Sequence, residues 1–483
     1  MNRCRGEGLR GSSLVVYRFF DRLSLWAIQQ KDGLSRLTVP QFTALCGLLV
    51  ITVGSLLLWI PWSHGQPMSY WQALFTATSA VTVTGLSIID PGRDLTAFGQ
   101  LTLMALILVG GLGLMAISIY LQGFVQQGAR LRRRVDSGEQ ILDQFGVGGV
   151  GRTFWHIAGV ALGLMTAGAL LLFLLGFAAS EASLPRRLWF CLFHAASAYN
   201  NAGFALWSDS LKGIASNLPA QLVVMGLIIS GGLGYRVHAE IWDPKNWFPF
   251  RWRRLDLQAK VVLLSSLLLI LVGWFGLLLY ESLNSAHLSF QELPAAERFW
   301  GALFQSVSAR TAGFQTVPLG LDHVSGASLV LLMLLMFIGA SPGGTGGGLK
   351  TSTMAILLAA TASTLRRRED VVLLSRTIDT RLVVQATALV VSSLLFISTM
   401  VLLIAVGSQQ EFTFLENLFT CISAFATVGF DVGILEKLNF WGKLVLMVGM
   451  FVGRLGLLLL FSALVQPFPK TTLVRYPREQ LTV

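Results

Sequence analysis

Four short segments of the chain combine a glycine with small or polar residues. They read Thr82–Leu86, Asn200–Phe204, Arg310–Phe314 and Ala426–Phe430, and their glycines lie 118, 110 and 116 residues apart. Glycine lets the backbone turn without a Cβ clash, and carbonyls turned toward a pore can replace the hydration shell of a cation. Four such strips predict a carbonyl ring to which each strip contributes one quarter. The predicted ion-binding residues are Val83, Thr84, Gly85, Asn201, Ala202, Gly203, Thr311, Ala312, Gly313, Thr427, Val428 and Gly429.

The elements that must position these strips are short apolar segments. One precedes each strip and ends in serine- and alanine-rich sequence: Phe75–Ala80, Phe190–Ala198, Phe304–Ala309 and Phe419–Ala424. Such segments are too short to cross a bilayer and too apolar for a water-exposed loop. Irregular backbone at membrane depth is tolerated only where protein or a water-filled cavity covers it. We therefore predict re-entrant half-helices, whose C-terminal dipole ends face the pore and attract cations.

Composition places the chain in a membrane. Of 483 residues 54% are hydrophobic and 13% are charged, whereas soluble domains carry about 25% charged residues. Charge-free windows such as Pro40–Ile89 exceed the roughly 20 apolar residues that a spanning helix needs. The first 25 or so residues are polar and basic, so no cleavable signal is predicted.

The net charge of +11 is distributed unevenly. Five stretches hold 27 of the 36 Lys and Arg residues: 1–39, 121–153, 236–260, 350–381 and 467–483. The positive-inside rule predicts that all five are cytoplasmic, which requires both termini on one side and an even number of spans. The basic runs at 132–134 and 366–368 serve either topology and anionic-lipid contact or the docking of a cytoplasmic partner.

The predicted fold is an all-α polytopic membrane protein with four pseudo-symmetric repeats around one pore. Each repeat is read as span, half-helix, filter strip and span, giving eight transmembrane helices and four re-entrant half-helices. The predicted spans are 41–60 and 96–123, 154–178 and 218–237, 259–281 and 327–363, and 382–406 and 441–465. The predicted half-helices are 69–80, 187–198, 296–309 and 413–425. The predicted domains are a cytoplasmic N-terminus (1–39), repeats at 40–130, 150–240, 257–368 and 380–466, and a cytoplasmic C-terminus (467–483).

A glycine-rich motif recurs in the second spans. In repeats one and two, Gly110–Gly113 and Gly231–Gly234 are read mainly as close helix packing. The third repeat expands the motif to Gly343–Gly348 after a proline, and this composition cannot stay helical. An unwound loop below the filter is predicted there, as a gate. The predicted gate residues are Gly343, Gly344, Thr345, Gly346, Gly347, Gly348, Lys350 and Arg454.

Two arginines and three acids stand near these motifs. Arg454 lies alone in an apolar run, so it should face the pore, either opposing cation passage or hydrogen-bonding the broken helix. Arg310 is expected to anchor filter backbone or to pair with an acid. Asp90, Asp209 and Asp431 follow filter strips and either concentrate cations at the outer mouth or are ordinary solvated loop charges.

The chain shows no sequence signature of catalysis. Its four cysteines form no disulfide framework, its six histidines lack metal-ligand spacing, and it has no P-loop or nucleophile elbow. No enzyme activity, transition metal or covalent cofactor is predicted. Two alternatives to an uptake system stay open. One is the potassium-binding subunit of an ATP-driven pump, which typically has ten spans, and the other, less favoured, is a membrane enzyme.

The motifs together resemble the Trk/Ktr/HKT superfamily of potassium transporters, and within it the Ktr-type (KtrB-like) membrane subunits. The resemblance extends from about residue 40 to 480. It is carried by the four strips, by Phe193-His194-Ala195, by Gly344–Gly348 and by Gly453-Arg454. The TrkH branch typically has two additional N-terminal spans, whereas one span precedes the first strip here.

The resemblance implies potassium uptake through one filter, with one glycine from each repeat. Plant relatives with serine at the first filter position favour sodium, so Gly85 implies potassium. The resemblance also implies an intramembrane loop gate at Gly343–Gly348, a pore arginine at Arg454 and stimulation by sodium. It further implies a homodimer in the cell (inner) membrane, seated on a cytoplasmic KtrA-like ring that supplies the nucleotide binding.

Overall fold

A computed structural model describes residues 39–113, 147–181, 183–241, 252–283, 289–407 and 412–457. Gly47–Leu458 form one compact unit. Residues 39–46 lie outside that unit and form the start of the first helix.

The first repeat contains three main helices. They are α1 (Val39–Trp59), α2 (Tyr70–Val81) and α3 (Ala97–Leu108), with a single helical turn at Pro91–Asp94 before α3. The short helix α2 begins at a capping box, in which Ser69 and Gln72 satisfy each other's backbone N–H groups. Helix α3 continues as a π-helical turn over Val109–Gly113. The rest of the predicted 96–123 span lies outside the described residues.

The second repeat follows the same order. Its helices are α4 (Val147–Leu174), α5 (Leu184–Tyr199), α6 (Leu218–Leu233) and α7 (Tyr235–Ile241). The predicted span over 218–237 is broken near its end, where α6 and α7 meet at an angle of 106°. Gly234 makes the turn with a φ of +87°. The Tyr235 N–H then donates to the Gly343 carbonyl at 3.2 Å, so a contact with the third repeat holds this break.

The third repeat has the broken second span that its glycines predicted. Its helices are α8 (Leu257–Leu283), α9 (Ala295–Ser308), α10 (Gly326–Phe337) and α11 (Thr351–Leu365), with a helical turn at Ser289–Glu292. Residues 338–350 between α10 and α11 are not helical. We call this segment the gate loop.

A short antiparallel hairpin connects the third and fourth repeats. Strands β1 (Val372–Leu373) and β2 (Arg376–Thr377) pair with Val372 opposite Thr377. Leu374 and Ser375 form the two-residue turn with φ values of +46° and +62°, as tight hairpin turns require. The all-α prediction missed this hairpin, which is two residue pairs long.

The fourth repeat returns to the common pattern. Its helices are α12 (Thr380–Gly407), α13 (Phe414–Phe425) and α14 (Phe440–Leu455). Helix α13 begins at a second capping box, formed by Thr413 and Glu416. The end of the predicted 441–465 span lies outside the described residues.

The short helices α2, α5, α9 and α13 form the centre of the compact unit. Each buries one phenylalanine, with at most 1% of its surface exposed: Phe75, Phe193, Phe304 and Phe419. The long helices α1, α4, α8 and α12 are apolar enough to cross a membrane, and only 28% of each spanning window is buried within the chain. The bent pair of α6 and α7 is a fifth such segment among the described residues. The chain is therefore a multi-pass membrane protein, with apolar outer faces suited to lipid.

Candidate functional site

The four strips meet in a closed ring. Each glycine lies against the carbonyl of the residue that precedes the glycine in the next repeat. A Cβ built on Gly85 would lie 2.5 Å from the Ala202 oxygen, and one on Gly203 would lie 2.8 Å from the Ala312 oxygen. A Cβ on Gly313 would be closer still to the Val428 carbonyl, and one on Gly429 to the Thr84 carbonyl, which closes the circle. The predicted convergence of the four glycines is thus present in the fold.

The strips share one backbone conformation. Left-handed residues occur at the glycine and two positions before it in every repeat. The φ values of Gly85, Gly203, Gly313 and Gly429 are +90°, +70°, +76° and +97°, and those of Val83, Asn201, Thr311 and Thr427 are +56°, +56°, +73° and +52°. Successive peptide groups of an extended strand point to opposite sides. Left-handed residues at alternate positions break that alternation. A non-glycine residue adopts the left-handed conformation only where the surrounding structure enforces the strain.

A serine in each half-helix holds its strip. The hydroxyls of Ser197, Ser308 and Ser423 donate to the carbonyl of the residue after the glycine of the strip, at 2.8, 2.6 and 2.7 Å. The Ser79 hydroxyl accepts from the Gly85 N–H at 3.0 Å. The sequence reasoning missed these serines. Their signal is the pattern Phe-x-x-x-Ser-Ala, which occurs in all four half-helices at Phe75–Ala80, Phe193–Ala198, Phe304–Ala309 and Phe419–Ala424.

The gate loop lies directly against the ring residues. The Gly347 N–H donates to the Thr427 hydroxyl at 3.0 Å. The Thr345 N–H donates to the Gly231 carbonyl at 3.1 Å, and its hydroxyl donates to the Tyr199 carbonyl at 3.3 Å. The loop is thereby bonded to the second and fourth repeats as well as belonging to the third. An unwound loop was predicted here, and the non-helical residues 338–350 contact the ring residue Thr427.

Two cations secure the loop. Arg454 of α14 donates through one terminal nitrogen to the Thr345 carbonyl and through the other to the Gly110 carbonyl, the latter at 2.7 Å. The Lys350 ammonium donates to the Gly346 carbonyl at 2.8 Å. Of the two roles considered for Arg454, the hydrogen bond to the broken helix is present. Gly110 belongs to the first repeat and Arg454 to the fourth. Through Arg454 the gate loop is therefore also connected to the first repeat, so that all four repeats are linked there.

The remaining glycines of the second helices permit close packing. A Cβ on Gly110 or Gly231 would overlap the carbonyl of Val81 or Tyr199, each near the end of the half-helix in the same repeat. Gly453 lies in the same way against Phe425. Close helix packing, as read from the sequence for the first two repeats, matches these contacts.

Arg310 does not have the expected partners. Its Nη1 donates to the Ser266 carbonyl of α8 at 3.5 Å, and its Nε has no hydrogen-bond partner. Within the described residues it forms no ion pair with an acid and no hydrogen bond to filter backbone. The expectation of a filter anchor is therefore wrong, because the side chain turns outward to α8.

The three acids that follow the strips differ in their surroundings. Asp90 caps the helical turn at Pro91–Asp94 by accepting from the Gly92 and Arg93 N–H groups, while Asp209 is exposed. Asp431 follows the fourth strip, and one of its carboxylate oxygens is buried with no hydrogen-bond partner in the part of the chain that the structure describes. Burial raises the pKa of Asp431, although nearby backbone N–H groups counteract the shift. The surroundings of Asp431 therefore favour the protonated carboxyl group.

Comparison with known proteins agrees with this architecture. A family model described as TrkH, cation transport protein, matches residues 41–473. The Ktr system potassium uptake protein B of Bacillus subtilis is 33% identical over 92% of this chain and 96% of its own length. The protein of the same name from Vibrio alginolyticus is 35% identical over 91% and 94%. The potassium/sodium uptake protein NtpJ of Enterococcus hirae is 34% identical over 94% and 99%.

A solved structure shows the same fold. The potassium transporter TrkH from Vibrio parahaemolyticus superposes with a TM-score of 0.68 over 88% of this chain and 84% of that one, at 21% identity. The family model and the curated relatives define the class as membrane transport proteins. The chain belongs to the TrkH family of cation transport proteins, and within it is similar to the Ktr-type membrane subunits. It is a transport protein and not an enzyme.

Proposed function

We propose that the chain mediates potassium uptake through a filter made by its four strips. The observation that carries this proposal is the closed circle in which each filter glycine abuts the next repeat's carbonyl. The carbonyls of Thr84, Ala202, Ala312 and Val428 are the principal ligands, because a ring of backbone carbonyls can replace a cation's water shell. The relatives are named as potassium or potassium/sodium uptake proteins, which supports the choice of ion.

The gate is the loop at Gly343–Gly348 together with Lys350 and Arg454. In the described conformation this loop is bonded to the ring residue Thr427 and to the end of α5. The two cations beside it oppose the passage of potassium, while their hydrogen bonds hold the loop in place. Release of these bonds is the step that opens the pathway.

Regulation comes from outside the membrane. The basic segment between α11 and α12 carries Arg366, Arg367 and Arg368, followed by the exposed hairpin of β1 and β2. It directly continues from α11 and the gate loop, so a cytoplasmic partner bound here would act on the loop through one helix. The partner is a KtrA-like nucleotide-binding ring, consistent with relatives that are named as parts of a Ktr system. The membrane chain is a homodimer, and sodium stimulates its uptake.

The topology is that of eight spans with four re-entrant half-helices in the cell (inner) membrane. The positive-inside rule supports cytoplasmic N- and C-termini, since both end segments are basic. The repeated order of long, short and second helices supports the span count.

Rubidium uptake by the purified chain in proteoliposomes tests the proposed activity. Rubidium should enter and potassium should compete with it far better than sodium does. Adding sodium at fixed rubidium separates stimulation from competition, and adding a KtrA-like ring with nucleotide tests the regulation. Equal competition by sodium and potassium would contradict the proposed potassium filter.

A further inference from the structure

A small cavity lies beside the third strip, between α6 and α8. It is lined mainly by apolar side chains, among them Ile228 and Ile270, and has a volume of about 10 Å³. Its two polar side chains are Ser266 of α8 and Arg310, which follows α9. The cavity is therefore of the size that holds one water molecule or one monatomic ion.

Both polar side chains in this cavity are incompletely bonded. Arg310 is 8% exposed and Ser266 is 3% exposed. The Arg310 Nε–H and the Ser266 hydroxyl are buried without a hydrogen-bond partner among the described residues. Most buried polar groups in folded proteins are bonded, so two such groups lining one cavity indicate a missing ligand. Both groups can act as donors, and a guanidinium cannot accept.

Comparison of the repeats shows that the charge is not required by the fold. Two residues after the half-helix serine, the other repeats place Val81, Tyr199 and Phe425, all buried. The third repeat alone places a cation at this position. An apolar residue would satisfy the packing there. Packing therefore does not explain the arginine, and a role for its charge is needed.

The charge of Arg310 is not balanced by the described residues around it. Its described hydrogen bond is to a neutral carbonyl at 3.5 Å, and the C-terminal end of α9 supplies about half a negative charge. Burial of an uncompensated ion is strongly unfavourable. We propose that the cavity binds a small monovalent anion, chloride under ordinary conditions, held by Arg310 Nε and Ser266 Oγ. Phosphate and carboxylate groups are too large for this volume.

The cavity lies next to a hydrogen bond between α6 and the gate loop. Gly232 also lines the cavity, and its carbonyl accepts from the Ser341 N–H of the gate loop at 3.1 Å. An anion here would fix α6 against α8 next to that contact. Chloride binding should therefore stabilise the folded chain independently of potassium.

The test uses the full purified chain in detergent at constant potassium and ionic strength. Gluconate is replaced stepwise by chloride or bromide while thermal unfolding is followed. The melting temperature of the wild type should rise with halide concentration, as expected for a ligand that binds the folded state. Bromide should also give an anomalous diffraction peak that contacts Arg310 and Ser266.

Matched variants isolate the site. Ser266→Ala should weaken the apparent halide affinity by about tenfold or more, because it removes a hydrogen bond to a charged group. Ser265→Ala is the control, since the Ser265 hydroxyl already donates to Val261 on the same helix and should leave the affinity unchanged. Arg310→Gln should abolish the halide effect. A wild type without halide dependence, equal dependence in Ser266→Ala and Ser265→Ala, or a cavity that holds water but no bromide would each overturn the proposal.

Discussion

Replacing the four ring glycines one at a time by alanine should produce a graded loss of function. The grading follows from the distance between an added Cβ and the carbonyl of the neighbouring strip. That distance is 2.8 Å at Gly203 and 2.5 Å at Gly85, and it is smaller again at Gly313 and Gly429. In every case the obstacle is backbone, which cannot rotate away as a side chain can. We expect Gly203→Ala to be mildest and Gly313→Ala and Gly429→Ala to be most severe.

Two effects contribute to the cost, and they can be separated. A left-handed conformation costs an alanine about 1–2 kcal/mol relative to glycine, at any of the four positions. The displacement of a filter carbonyl comes in addition. A change of ~1.4 kcal/mol in the difference between potassium and sodium binding alters selectivity tenfold. We therefore expect potassium-over-sodium selectivity to fall about tenfold or more at Gly313 and Gly429, and severalfold at Gly203.

Two control glycines make the comparison sharp. Gly433 has a φ of +89°, but a Cβ there meets nothing within 4 Å. Gly433→Ala thus carries the conformational cost without the clash, and should lower stability while leaving selectivity intact. Gly226 in α6 also has space for a Cβ and has no positive φ, so Gly226→Ala should leave selectivity unchanged.

The assay is rubidium uptake in proteoliposomes with sodium and potassium as competitors, together with thermal unfolding of each variant. Selectivity losses that match the Gly433→Ala control at all four ring positions would refute the reasoning. So would a loss at Gly203 that exceeds those at Gly313 and Gly429.

Three further predictions concern the residues around the ring. Ser423→Ala should reduce selectivity and lower stability by about 1–3 kcal/mol, because it leaves buried strip groups unpaired. Thr420→Val removes a hydroxyl that has no partner within the described residues, and it should change neither property in the same unfolding and uptake assays. Arg454→Gln should raise basal rubidium flux, because it removes a charge and the bond to Thr345 that hold the loop; flux at or below wild type in a folded variant would place the barrier elsewhere. Uptake at low potassium should fall on acidification, because protonation removes the negative charge of Asp431. The fall should begin above the usual titration range of aspartate, since burial raises the pKa of Asp431. Asp431→Asn should take up less rubidium than the wild type at neutral pH and should lose this pH dependence.

Much of the fold was predictable because its signals are local. The half-helices predicted at 69–80 and 413–425 occur at Tyr70–Val81 and Phe414–Phe425, where capping residues precede apolar runs. The break in the third repeat was also predictable, since several glycines and a proline cannot remain in a helix. Local composition therefore identified these elements and their order.

Features that depend on contacts between repeats were not predictable. A single glycine such as Gly234 is tolerated within a helix, and the bend there coincides with a bond to Gly343 of another repeat. The half-helix serines read as ordinary small residues until their strips fold back onto them. Arg310 directly precedes the third strip, and its position favoured a filter anchor or an acid partner, but its side chain extends to Ser266 on α8.

The most direct test of the central proposal is to locate the ion. Crystals of the full chain soaked in rubidium should show anomalous density on the axis enclosed by the carbonyls of Thr84, Ala202, Ala312 and Val428. The density should weaken when potassium is added and persist when the same concentration of sodium is added. Strong rubidium density elsewhere in the chain, with none inside the ring, would contradict the assignment of the four strips as the filter.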